Sequence, residues 1–188
     1  MSLKVLVIPE DPTHNGYILK PLVERILSDL GKPQAKVTVL TSPRLQGYNQ
    51  AVQAIRNELP DRYCFCDLWL FIPDADRALP DAMRRLEEDL KRKFICLLCC
   101  PAEPEVEIYT CVAYHKELKA SWKVVREAKR MKEDYFEPLL KKYGDKRRAS
   151  GGRDLMIKES LNNLQLLYRR CPELADLKQR IEQIIAVP

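Results

Sequence analysis

Short apolar segments alternate with amphipathic segments along the first 113 residues. Four segments have the length and composition of strands: residues 4–9, 35–40, 68–72 and 94–100. Three segments between them carry apolar side chains at helical spacing: residues 17–30, 48–59 and 80–93. Such alternation predicts parallel strands joined by right-handed helical crossovers. Residues 106–112 are a candidate fifth strand, because glutamates alternate there with apolar side chains.

The pattern changes to helix alone after residue 114. Four segments are predicted to be helical: residues 116–132, 136–143, 154–170 and 172–185. We therefore expect an α/β fold with a three-layer, mainly parallel, Rossmann-like sheet and an all-helical C-terminal extension. The predicted division is an α/β domain over residues 1–113 and a helical, basic extension over residues 114–188 that packs on it.

Composition excludes several classes of protein. Of the 188 residues, 46% are hydrophobic and 31% are charged, which is typical of a globular protein and not of a disordered one. No apolar stretch approaches the roughly 20 residues that span a bilayer, and the first apolar run is too short for a signal peptide. We expect a cytoplasmic protein with no membrane association.

Seven cysteines also favour a reducing compartment, because an odd number cannot all pair in disulfides. Cys64 and Cys66 form one close pair, and Cys96, Cys99 and Cys100 form a second group. Zinc is one interpretation of these groups. Buried thiols are the favoured one, because the second group lies in an apolar run without the spacing of zinc knuckles.

Charge is unevenly distributed along the chain, whose formal net charge is +5. Residues 1–114 hold 14 basic and 16 acidic side chains, whereas residues 115–188 hold 18 basic and 11 acidic ones. The basic part could hold a polyanion beside an acidic site, and solvated helices rich in lysine explain the same excess.

Acidic side chains follow two of the predicted strands. Glu10 comes directly after residues 4–9, and Asp74 and Asp76 follow residues 68–72. The carboxyl ends of neighbouring parallel strands open onto one crevice, so these carboxylates are expected to converge there. Carboxylates suit Mg²⁺, with Asp74 and Asp76 as ligands. A turn explains the aspartate pair alone, because aspartates favour loops after strands.

A strand-end glutamate followed by a strand-end Asp-x-Asp resembles the TOPRIM domain of topoisomerases, primases and OLD-type nucleases. The resemblance covers residues 1–113, and its matching residues are Glu10, Asp74 and Asp76. The chain is also similar to a bacterial TOPRIM-like family of unassigned function, often linked to defence systems. Glu105 and Glu107 match the later acidic segment of that family, and residues 43–47 match its glycine-containing loop.

The sequence departs from this family in the loop after the first strand. Asp11 stands where the family has a glycine, and His14 or Asn15 stands where it has an acidic residue. His14 could assist a metal site, although loop histidines are more often surface residues. These changes are compatible with metal binding, but they put catalytic turnover in question.

The resemblance implies a nuclease, or another phosphodiesterase, that depends on Mg²⁺ or Mn²⁺. Glu10 would serve as a further ligand or as the general base and acid at the scissile phosphate. Asp74 and Asp76 would bind the ion, and Glu105 or Glu107 would complete a second metal site.

Three arginines are candidate contacts for the substrate phosphate: Arg44, Arg77 and Arg153. Arg77 follows the aspartate pair, where guanidinium can bind phosphate or form a salt bridge to Asp74 or Asp81. Arg153 ends a basic, glycine-rich loop, residues 144–153, which either presents backbone N–H groups to a phosphate or is a flexible connector.

Two other functions stay open at this stage. One is a non-catalytic module of the same fold that binds nucleic acid or a partner protein. The other is a different α/β enzyme, such as a phosphatase or nucleotide-binding protein. The chain has neither Gly-x-Gly-x-x-Gly after its first strand nor a P-loop motif, which disfavours dinucleotide and P-loop binding. The oligomeric state is not predicted.

Overall fold

Four parallel strands form the central sheet. In the computed structural model, which describes residues 2–186, the strands are β1 (Lys4–Pro9), β2 (Lys36–Val39), β3 (Leu68–Ile72) and β4 (Leu97–Cys99). Their order is β2-β1-β3-β4, and every pair is parallel. The predicted parallel, three-layer α/β class is confirmed.

Alternate residues of the strands form two separate cores. Val5 and Val7 point to one face of β1, and Leu6 and Ile8 point to the other. Successive side chains of a strand point to opposite faces, so a strand covered on both sides is apolar throughout. This is why the segments that become β1 and β3 lack a polar face in the sequence.

Three helices cover the second face of the sheet. They are α2 (Tyr48–Asn57), α3 (Leu59–Tyr63) and α4 (Pro80–Arg92), and each contributes apolar side chains to the core that holds Leu6 and Ile8. The prediction of a single helix over residues 48–59 is corrected at its end. Pro60 lies in the first turn of α3, where its missing N–H costs nothing.

The first face is covered by α1 (Gly16–Asp29) together with the C-terminal helices. Those helices are α5 (Ile108–Cys111), α6 (Trp122–Glu127), α7 (Glu137–Tyr143), α8 (Arg153–Leu161), α9 (Leu164–Arg170) and α10 (Pro172–Ile185). A π-helical turn, Lys132–Phe136, precedes α7. α8 packs against both α1 and α5, so residues from both parts of the chain share one core. Residues 1, 187 and 188, at the ends of the two predicted regions, lie outside the described part.

The candidate fifth strand at residues 106–112 is wrong. Residues 108–111 form α5, and all seven residues of the segment are buried. A segment covered on every side shows no reliable periodicity, and the alternation of Glu105 and Glu107 misled the prediction. The predicted helix over residues 116–132 is also corrected, because its only full α-helix is Trp122–Glu127 and the π-helical turn begins at its end.

The predicted helix over residues 154–170 is divided in two. The side chain of Asn163 accepts a hydrogen bond from the backbone N–H of Leu166, 2.9 Å away, and so begins α9 as its N-cap. No helix within residues 2–186 combines the length and the apolar character needed to cross a membrane.

An ion pair covers the outer edge of β4. The Arg180 guanidinium binds both carboxylate oxygens of Glu87 at 2.7 Å, joining α10 to α4. Glu87 accepts a hydrogen bond from the Cys99 N–H (2.6 Å), and Arg180 donates one to the Cys99 carbonyl (3.0 Å). The backbone groups that an edge strand leaves unpaired are therefore satisfied by side chains at Cys99.

We predict that Arg180→Met destabilises the protein by about 1.5–3 kcal/mol, because it leaves the half-buried Glu87 carboxylate and the Cys99 carbonyl without their charged donor. Urea unfolding measures the change. Arg84→Met is the matched control on α4, since Arg84 pairs with Asp81 at an exposed position and should contribute at most about 1 kcal/mol. Equal effects of the two substitutions would contradict the prediction.

Candidate functional site

The predicted site lies at the point where the strand order reverses, between β1 and β3. From β1 the chain moves to β2 on one side, and it then returns to β3 on the other side of β1. The loops that leave β1 and β3 therefore diverge and open a crevice at their carboxyl ends, the usual ligand position in such sheets. Glu10 follows β1 and Asp74 lies two residues beyond β3, so both reach this crevice.

Glu10 is half-buried against the start of α2. Burial raises the pKa of its carboxyl, while the backbone N–H groups of Asp74 and Tyr48 act to lower it. One carboxylate oxygen, Oε2, is buried and has no hydrogen-bond partner within residues 2–186. An unpaired buried oxygen of this kind is costly unless a ligand or solvent satisfies it.

Gly47 shapes the wall beside Glu10. Its φ is +96°, which L side chains rarely adopt, and its backbone N–H donates to the Glu10 carbonyl at 3.4 Å. A Cβ at position 47 would lie 3.8 Å from Glu10 Oε1. The glycine predicted to matter in residues 43–47 thus sits next to the glutamate.

Asp74 is the most strongly perturbed carboxylate of the site. Its Oδ1 accepts a hydrogen bond from the Val106 N–H at 2.9 Å. Burial raises the pKa of Asp74 to about 7, and the nearby carboxylates of Glu107, Glu10 and Glu105 act in the same direction. A cation that neutralised the neighbouring carboxylates would favour the ionised form of Asp74.

Glu10 and Asp74 line one cavity of about 420 Å³, which we call the central cavity. Glu107, Arg44 and Lys132 also line it. The remaining wall comes mainly from the loops after β1 and β2: Asp11, Thr13, Asn15, Leu45, Gln46 and Gly47. The central cavity therefore holds three of the predicted carboxylates and one of the predicted arginines.

Lys132 neutralises one of these carboxylates. Its Nζ lies 2.9 Å from Glu107 Oε1, and the Glu107 side chain is only 1% exposed. The backbone N–H of Lys132 donates to Glu105 Oε1 at 3.1 Å. Burial and the adjacent Glu107 both raise the pKa of Glu105.

The other predicted carboxylates line a second cavity, which shares Asp74 with the central cavity. This adjoining cavity, of about 590 Å³, is bounded by Asp74, Asp76, Glu105, Arg126 and Lys129, among others. The Asp76 side chain is 68% exposed, and its Oδ2 lies 3.7 Å from Arg77 Nε. Asp74 is thus the only predicted carboxylate of the site among residues 2–186 that lines both cavities.

The three predicted phosphate contacts lie in different surroundings. Arg44 lines the central cavity, whereas Arg77 pairs with Asp76 at an exposed position. The Arg153 guanidinium lies 5.3 Å from the centre of the Phe136 ring and donates to the Ser150 carbonyl at 3.2 Å.

The basic loop that precedes α8 is largely compensated by its own acids. Arg147 pairs with Asp145 at 3.0 Å, and Arg148 pairs with Asp154. Of the positive groups around the site, Arg44 and Lys132 are the two that line the central cavity.

Sequence reasoning missed Lys132, Arg126 and Asn15. In the sequence, Lys132 resembles the many other lysines of the C-terminal helices. What distinguishes it is structural: a π-helical turn begins there, and such turns recur at functional sites. Arg126 pairs with Glu103 and Glu173 beside the adjoining cavity. Asn15, which the resemblance gave only as one of two residues in place of an acid, is buried and lines the central cavity.

Neither the histidine nor the cysteines join the central cavity. The Nδ1 atom of His14 is buried without a hydrogen-bond partner in the described chain. Four of the thiols are buried, those of Cys99, Cys100, Cys111 and Cys171, whereas Cys64 is exposed. Over residues 2–186 no three His, Cys, Asp or Glu side chains are grouped closely enough to hold a metal ion by themselves.

Comparison with known proteins adds no identification. No protein-family model, no curated protein and no solved structure matches this chain.

Proposed function

We propose that this protein is a divalent-cation-dependent phosphodiesterase that acts on nucleic acid in the central cavity. One observation carries the proposal: two strand ends bring Glu10 and Asp74 into a cavity that Arg44 and Lys132 also line. Carboxylates suit a hard cation, and arginine and lysine suit a phosphate oxygen. The switch-point position supports a ligand site here.

The donor set fits Mg²⁺ or Mn²⁺ better than a metal that needs a complete protein cage. Mg²⁺ usually keeps several waters and takes one or two carboxylates plus substrate phosphates. Asp74 and Glu10 supply such a pair, and the buried Oε2 of Glu10 has no hydrogen-bond partner within residues 2–186 that a ligand would have to displace. When bound, the ion would polarise the phosphate and stabilise the departing oxygen.

The side chains have distinct tasks in this proposal. Asp74 holds the ion, and Glu10 either helps to hold it or takes the proton of the attacking water, a role that suits a carboxyl whose pKa burial has raised. Arg44 binds and orients the phosphate. Asp76, Glu105, Arg77 and Arg153 lie outside the central cavity and serve, if at all, in binding the flanking substrate.

Nucleic acid is the proposed substrate class because each cavity has two basic side chains among its carboxylates. Lys129 and Arg126 line the adjoining cavity, and Arg44 and Lys132 line the central one. Positive groups in both of the cavities that share Asp74 suit a chain with repeated phosphates. The excess of basic over acidic residues after position 114 acts in the same direction.

A non-catalytic binding module is the second candidate. The exposed pairing of Asp76 with Arg77 and the neutralisation of Glu107 by Lys132 favour it, because each removes a ligand from the predicted set. Such a module would bind nucleic acid or a partner protein through the same cationic groups. Cleavage assays separate the two candidates.

We predict that Glu10→Gln and Asp74→Asn each reduce Mg²⁺-dependent cleavage by about 100-fold or more, the usual scale for losing a proton-transfer group or a metal ligand. The measurement uses labelled single-stranded and duplex DNA and RNA, in Mg²⁺, Mn²⁺ and EDTA. Asp81→Asn is the control, since Asp81 is exposed on α4 and lines neither cavity. Equal cleavage by the wild type and both variants would refute the site, and no cleavage by the wild type would favour the binding module.

A pH test examines Asp74 without any substrate. Because the pKa of Asp74 is raised to about 7 in the folded protein, its proton stabilises the fold at low pH, and that contribution is lost as pH rises through about 7. In EDTA, Asp74→Asn should therefore be more stable than the wild type at pH 8 and similar to it near pH 4. Urea unfolding at both pH values measures this, and added Mg²⁺ should reduce the gap at pH 8. A gap of the same size at both pH values would contradict the prediction.

A further inference from the structure

The Lys132 ammonium lies beside the carboxylates that were predicted to bind a second metal ion. Its ammonium contacts Glu107 at 2.9 Å, and its backbone N–H occupies Glu105 Oε1 at 3.1 Å. Glu105 or Glu107 is the residue that would complete a second metal site. Both are engaged by one lysine.

The lysine is charged at its position. A lysine ammonium is protonated at neutral pH, and the Glu107 carboxylate 2.9 Å away favours that charged form. Glu107 is almost completely buried, so its charge needs a close counter-ion. An ammonium 2.9 Å away provides that counter-ion without any metal.

The position of the ammonium is set by the core. Met131 precedes the π-helical turn and Phe136 ends it, and both are fully buried. The turn between them leaves the Lys132 side chain 37% exposed, at the wall of the central cavity. The charge is therefore held in place before any substrate binds, which lowers the cost of using it.

We propose that the Lys132 ammonium takes the place of a second divalent cation, so that the site works with one metal ion and one lysine. This inference rests on the proposed function for its first ion, at Asp74 and Glu10. An ammonium has three donors, and its contact with Glu107 is an ion pair without hydrogen-bond geometry, so donors remain for a phosphate oxygen in the central cavity. A metal ion could not occupy the same position while Lys132 stays beside Glu107.

Counting bound Mn²⁺ by electron paramagnetic resonance tests the proposal on the full chain. Lys132→Met removes the ammonium and leaves Glu107 and Glu105 without a counter-ion. This variant should bind one more Mn²⁺ ion per chain than the wild type. Lys123→Met is the matched control, because Lys123 is exposed and pairs with exposed Glu127, and it should leave the count unchanged. A count for Lys132→Met equal to that of the wild type would overturn the proposal.

A second variant keeps the test decisive if Lys132→Met does not fold. Glu107→Gln should leave the wild-type count unchanged, because Glu107 holds an ammonium and not a metal ion. Loss of one ion in Glu107→Gln would overturn the proposal. In the double variant Lys132→Met, Glu107→Gln the extra ion should disappear again.

The two proposals fail in different ways. A wild type that binds no Mn²⁺ contradicts the metal site at Asp74 and Glu10, whereas the gain caused by Lys132→Met tests the lysine alone. Wild-type binding of two ions, one of which is lost in Glu107→Gln, leaves the proposed function intact and removes the role of Lys132.

Discussion

The ion pair between Lys132 and Glu107 decides what the acidic crevice can do. Four carboxylates, those of Glu10, Asp74, Glu105 and Glu107, approach one another in partly buried surroundings, where burial and the charges of the other three raise the pKa of Asp74. Such a cluster is stable only when protons, cations or hydrogen-bond donors balance it. Lys132 balances the most buried member from a segment 25 residues later in the chain. The C-terminal helices therefore complete the site electrostatically as well as covering the sheet.

The four carboxylates are not equally compensated by positive charges and hydrogen-bond donors. Within residues 2–186, Glu107 forms an ion pair with Lys132 and Glu105 accepts a hydrogen bond from the same residue, whereas Glu10 and Asp74 form no ion pair and the pKa of Asp74 is raised to about 7. The uncompensated charge is thus concentrated at the ends of β1 and β3. Under the proposed function, this distribution of charge would place one cation at Glu10 and Asp74 and a phosphate group at Arg44 and Lys132.

Local patterns were sufficient for most of the α/β fold and failed where burial is complete. The strands and the helices α1 and α4 follow from hydrophobic periodicity, and the helix start at Pro80 from its fixed φ. The segment at residues 106–112 was misjudged because every residue in it is buried, so that periodicity carried no information. The long helices expected at residues 116–132 and 154–170 were interrupted by tertiary contacts and by the cap at Asn163, which propensity alone does not register.

The sequence by itself determined the parallel order of the elements and the convergence of Glu10 with Asp74, because strand ends of a parallel sheet meet at one edge whatever their distance along the chain. Tertiary structure decided the rest. It turned Asp76 outward to Arg77, put Glu105 in the adjoining cavity, and brought Lys132 onto Glu107. These outcomes depend on how the C-terminal helices dock on the sheet. Many buried apolar contacts together determine how these helices dock. The sequence around a single lysine or aspartate therefore does not predict it.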